Sequence, residues 1–149
     1  MNNQFYEIPT DWYNEFNNTF IKNTENINNQ NTNNMINPTL GFIRGNIFNN
    51  LYNPYKNYQN QEPQINDRRI ALLYEIQKHN FVLTELQLYL DINPYDKNTL
   101  SLYNQYLLAE KKLCNEYEQN YGPLTMTGMN MGMNKWNWIE SPWPWEVMK

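Results

Sequence analysis

The stretch Phe81-Val82-Leu83-Thr84-Glu85-Leu86-Gln87-Leu88-Tyr89-Leu90-Asp91-Ile92-Asn93-Pro94-Tyr95-Asp96 reads as the end of one helix, a proline turn and the start of the next. Leading into it, positions 72, 76, 79, 83, 86 and 90 recur at spacings of four and three, the period of one helix face. Ile70, Leu73, Phe81 and Leu88 form a second row beside it. Together the rows exceed the ~100° stripe that an ordinary surface helix turns toward a core. One partner helix cannot cover so much. The spacing therefore predicts a helical hairpin that needs further cover, and assembly rather than catalysis as its task.

Working outward, the first helix is expected to start near Asn66, with Asp67 in its first turn, and to end near Asp91–Ile92. Asn93 precedes proline and is pushed away from helical geometry. The second helix is expected to restart at once, capped by Asn93, with Pro94 first and Asp96 facing the positive end of the dipole. It should run to about Tyr121, where Gly122-Pro123 supplies a stop. Its inward row is expected to be Leu100, Tyr103, Leu107, Glu110, Cys114, Tyr117 and Tyr121, with Leu102, Tyr106, Ala109 and Leu113 alongside. So short a turn makes the helices antiparallel. Counting outward from it sets Leu83 near Leu102, Ile76 near Ala109 and Leu72 near Leu113. Each helix of about 25 residues spans ~37 Å, and two such helices make only a thin core.

The expected fold is all-α: an antiparallel two-helix hairpin over 65–124, a long irregular N-terminal arm over 1–64, and a Trp/Pro-rich tail over 125–149. In the arm, Thr10, Trp12, Phe16 and Phe20 outline a short amphipathic helix within 5–21, and residues 23–37 form a polar linker with no period. Residues 38–55 read as a turn of helix ending at Gly45, followed by an extended aromatic strip. Phe48, Leu51, Tyr52 and Tyr55 are expected to be exposed there as a docking segment. In the tail a methionine- and glycine-rich insert precedes Trp136, Trp138, Trp143 and Trp145. Pro142 and Pro144 favour an extended course. Those tryptophans either fold back over the hairpin or anchor a partner, since tryptophan is a preferred interface anchor.

Composition narrows the function classes. The 149 residues carry 11 basic and 15 acidic side chains, a net charge of -4, and no basic cluster, which argues against nucleic acid. Mean hydropathy is -0.87, depressed by asparagine and glutamine. No secretory leader and no run of ~20 apolar residues is evident, so the expectation is a soluble protein made in the cytosol, not a membrane protein. The single cysteine, Cys114, excludes an internal disulfide. It reads as a small buried hydrophobe or as an intermolecular cross-link.

Several motifs together resemble the CotJB spore-coat family: Phe81, Leu88-Tyr89-Leu90-Asp91, Pro94, Asp96, Glu116-Tyr117-Glu118, Tyr121-Gly122-Pro123-Leu124 and Pro142-Trp143-Pro144-Trp145-Glu146. The resemblance covers about 66–146. That family usually has threonine-histidine before the proline, where this chain has Ile92 and Asn93. The stretch 40–55, with Gly45, Ile47, Phe48, Leu51, Tyr52, Pro54 and Tyr55, is similar to the CotJA family, although Asn46 and Asn49 replace a threonine and a proline. These likenesses imply a component of the endospore coat, present in the mother-cell cytoplasm during sporulation and then in the coat. They also imply partners among other coat proteins, above all a manganese-catalase-like subunit. Self-association is a further expectation. The residues expected to bind partners are Phe48, Tyr52, Tyr55, Phe81, Leu88, Tyr89, Trp136, Trp138, Trp143 and Trp145.

The competing reading is a small helical metal-binding or redox protein using Glu75, His79 and Glu110. Carboxylates and histidine projecting into a bundle do build di-metal sites. Those sites need more histidine than the one this chain has, at a Glu-x-x-His spacing it lacks. No nucleophile stands beside a base and no phosphate loop occurs, so neither enzyme nor cofactor is expected. A helical repeat lacks its further copies, and a membrane-active tail lacks clustered lysine or arginine.

Overall fold

The computed structural model describes residues 35–57, 59, 61–125 and 136. The expected helix within 5–21 and the tail tryptophans Trp138, Trp143 and Trp145 lie outside them. Among the described residues three α-helices form: α1 (Pro38–Arg44), α2 (Arg68–Ile92) and α3 (Lys97–Tyr121), with a 3-10 turn at Asn49–Leu51. Among the described residues there is no strand beyond one isolated bridge between Met35 and Phe48. The chain is all-α.

The long helices end where the sequence indicates, at Ile92 and Tyr121, each 25 residues in length. Their starts differ from expectation. Asp67, not Asn66, caps α2 by accepting the Ile70 N–H at 2.9 Å. Asp96, not Asn93, caps α3, accepting from the amides of Asn98 and Thr99 at 3.0 and 3.1 Å. The reason is that a carboxylate satisfying two orphan amides outcompetes a single amide side chain. Asn93 and Pro94 fall instead into a turn closed by the Asp96 N–H on the Asn93 carbonyl, with proline at the position whose φ it pre-sets.

The helices pack in opposite directions: Arg69 Nε donates to the Tyr117 hydroxyl at 3.0 Å, while nearer the turn the His79 and Tyr106 rings lie 5.2 Å apart. Leu83 and Leu102 share one core cluster, and Leu72 and Leu113 another, matching the register counted from the turn. The face of α3 is corrected. Thr99, Leu102, Tyr106, Ala109, Leu113 and Tyr117 are buried, whereas Leu100 and Tyr121, expected inward, are exposed. Leucines and tyrosines lie all around α3, so type alone does not mark its inner side.

The remaining side of α2 is covered by the chain itself. Asn37 caps α1, accepting the Thr39 N–H at 2.9 Å, and Pro38 occupies the first helical position. Gly45 ends the helix at φ 78°, and the amides of Gly45 and Asn46 return to the Phe42 and Gly41 carbonyls, the paired closure of a helix ending in a left-handed residue. The chain doubles back so that the Ile36 N–H meets the Ile47 carbonyl at 2.9 Å. Ile47 and Phe48 thereby enter the core with Met35, Val82, Leu86 and Tyr106. Burying each side chain contributes about 1.5–3 kcal/mol.

Candidate docking surface

Phe48 was expected to be exposed, and it is not: its exposure is 7%, with its ring stacked on Tyr89 at 5.4 Å. The correction has a simple cause. A seven-residue helix and a few apolar residues after it cannot form a core alone, and the nearest uncovered apolar surface is α2 of the same chain. Phe42 joins in, 5.3 Å from Tyr74 and 5.6 Å from Phe81, ring to ring. Phe81 and Tyr89 are half-buried by this packing. Polar contacts fix the seat. The Ile47 N–H donates to Glu85 Oε2 at 3.3 Å, and Lys78 Nζ donates to Thr39 Oγ1 at 3.4 Å.

Beyond Phe48 the strip does turn outward. Leu51 and Tyr55 are exposed. Tyr52 is half-buried, with the Arg44 guanidinium 4.4 Å over its ring, a cation–π contact. Trp136 is exposed.

Among the described residues, exposed apolar side chains gather where α2 meets the turn. Leu88 is 57% exposed, Ile92 82% and Tyr95 94%. Leu88 and Ile92 are four apart and share one face of α2, and exposed Leu100 opens α3 just beyond the turn. Ile92 and Tyr95 were not singled out from sequence as binding residues. For Ile92 the signal was the apolar row of α2 carried past the last turn that α3 can cover; Tyr95, in the turn, belongs to no helical row. The turn that presents them is tied by Asp96, which takes hydrogen bonds from Thr99 Oγ1 at 3.0 Å and from the Tyr89 hydroxyl at 3.3 Å.

Glu75, His79 and Glu110 have other engagements. Glu75 is ion-paired with buried Lys78 at 2.6 Å. His79 Nδ1 is 2.8 Å from the Glu75 backbone carbonyl, which can only accept, so Nδ1 carries the hydrogen. Burial lowers the His79 pKa and keeps the ring neutral. Glu110 accepts from the Cys114 thiol at 3.0 Å. Burial and that neighbouring carboxylate push the thiol to a pKa of about 12, which makes it a poor nucleophile. Among the described residues no group of three or more His, Cys, Asp or Glu is placed to hold a metal ion. Nor is any helix there long and apolar enough to cross a membrane.

A family model described as CotJB protein matches residues 70–146, more than half of the chain. No curated protein and no solved structure matches it.

Proposed function

The chain belongs to the CotJB family, a spore-coat family and not a known enzyme family, and from that membership we propose that it is a structural subunit through which coat proteins assemble. Its partner in this reading is a manganese-catalase-like coat protein or another coat subunit. It meets that partner in the mother-cell cytoplasm and is carried with it into the endospore coat. The observation that carries the reading is the bare apolar corner of Leu88, Ile92 and Tyr95. A large apolar group held in water on this turn costs solubility, and covering it by a partner recovers ~25 cal/mol per Å² of apolar surface. The tail tryptophans Trp136, Trp138, Trp143 and Trp145 supply further anchors of the type that dominates interfaces.

Co-expression with a manganese-catalase-like coat protein and affinity capture tests this. The chain should be retained, and Leu88→Asp with Ile92→Asp should reduce retention at least about tenfold, a loss of ~1.4 kcal/mol, with helix content unchanged. No retention of the unaltered chain by this partner or other coat subunits, or retention indifferent to both substitutions, overturns the assignment of this corner.

A further inference from the structure

The arm segment 35–48 sits on the hairpin as a separable unit. Its folding is local: Asn37 caps α1, Gly45 ends it, and the Asn46 side chain takes the Phe48 N–H at 2.7 Å. Its seat consists of Phe81, Val82, Leu86 and Tyr89, with Glu85 and Lys78 at the rim. The seat lies within residues 70–146, the stretch that matches the family, and its cover lies outside it. The described residues of the connecting stretch 53–64 are all exposed. About 20 chain steps lead from Phe48 to Arg68, enough for up to ~70 Å when extended. The levels of Tyr89 and Arg68 on α2 are only about 32 Å apart at ~1.5 Å per residue. The surplus reach is about the length of the hairpin itself.

We infer that this seat also accepts the 35–48 segment of a second copy of the chain, so that neighbouring molecules exchange arms. The contacts made are the same in either arrangement, so the tether decides between them. Within one molecule a tether of this length holds the segment at an effective concentration of about millimolar. Exchange is therefore minor at micromolar concentration, becomes comparable when copies are packed to millimolar density, and prevails when the route within one molecule is closed. It does not rest on the coat reading, and its test involves no coat partner.

The test is the full chain with residues 53–64 removed. About eight steps then remain between Phe48 and Arg68, at most ~29 Å, too short to seat the arm at home. Light scattering after size exclusion at micromolar concentration should give a dimer or larger species where the intact chain is monomeric. Adding Ile47→Asp and Phe48→Asp should return it to monomer. A shortened chain that is monomeric with native helix content, or an oligomer that survives both aspartates, overturns the inference. Should the shortened chain fail to fold, intact chains labelled separately with donor and acceptor dyes are mixed at ~1 mM and diluted to ~1 µM. Energy transfer should appear and then decay as the arms return, and it should be absent in the Ile47→Asp/Phe48→Asp chain. Lack of transfer between intact chains overturns the inference equally.

Discussion

The ring of Phe48 lies on that of Tyr89, with 5.4 Å between centroids and 28° between planes. Residues far apart in sequence thus close the side of α2 that α3 leaves open. Replacing Phe48 by alanine removes both the stacking and the burial. The expected loss is about 3–4 kcal/mol, read as a lower urea midpoint with little change in helix content. A loss below about 1 kcal/mol would show that the arm contributes little to the fold.

Gly41 faces the returning chain at close quarters. A Cβ there would stand 3.2 Å from Ile47 Cα and 3.3 Å from Ile47 Cβ. Helix propensity favours alanine over glycine by ~1 kcal/mol, but the crowding falls on backbone that cannot swing aside. Gly41→Ala should therefore destabilise, by about 1–2 kcal/mol. A thermal scan showing higher stability would mean that the crossing yields.

Lys78 and Glu75 form an ion pair at 2.6 Å, with side-chain exposures of 8% and 13%. Removing one partner strands a buried charge, so Glu75→Leu should cost about 3 kcal/mol. The double change Glu75→Leu with Lys78→Met should recover most of that. Chemical denaturation of the two single variants and the double tests it, and simple additivity of the single losses is the contrary result.

The fold should weaken on mild acidification through His79. Burial holds its pKa below the usual 6.5, aided by Lys78, against the Glu75 carbonyl bond and the carboxylates of Glu75 and Glu110. The unfolded chain takes up a proton near pH 6.5 and the folded chain does not. Stability is thus complete above about pH 6.5 and declines as pH falls toward the depressed folded value. Melting temperatures between about pH 7.5 and 5.5 should fall for the native chain and flatten in His79→Gln. Equal slopes in the two would assign the acid response to other groups.

The two long helices were legible because α2 carries a sustained period and the Gly122-Pro123 and Asn93-Pro94 stops are unambiguous. The register followed from the shortness of the turn. The inner face of α3 was legible in part: Leu102, Tyr106, Ala109, Leu113 and Tyr117 were foreseen inward and are buried, whereas Leu100 and Tyr121 are exposed and Thr99 is buried instead. There the partner surface, not residue type, selects the face. Ile47, fully buried, was invisible for a different reason. A segment of a few residues has no period to read, and its seat lies about 35–40 positions away at Val82 and Glu85. Of the residues expected to bind a partner, Leu88 is exposed, whereas Phe48 is buried within the molecule.

Tyr89 belongs to two structures at once, with its ring under Phe48 and its hydroxyl on Asp96, the cap of α3. Lifting the arm withdraws support from one side of that residue while its other side still anchors the corner. The arm and the cap of α3 thus bear on one shared side chain from opposite ends.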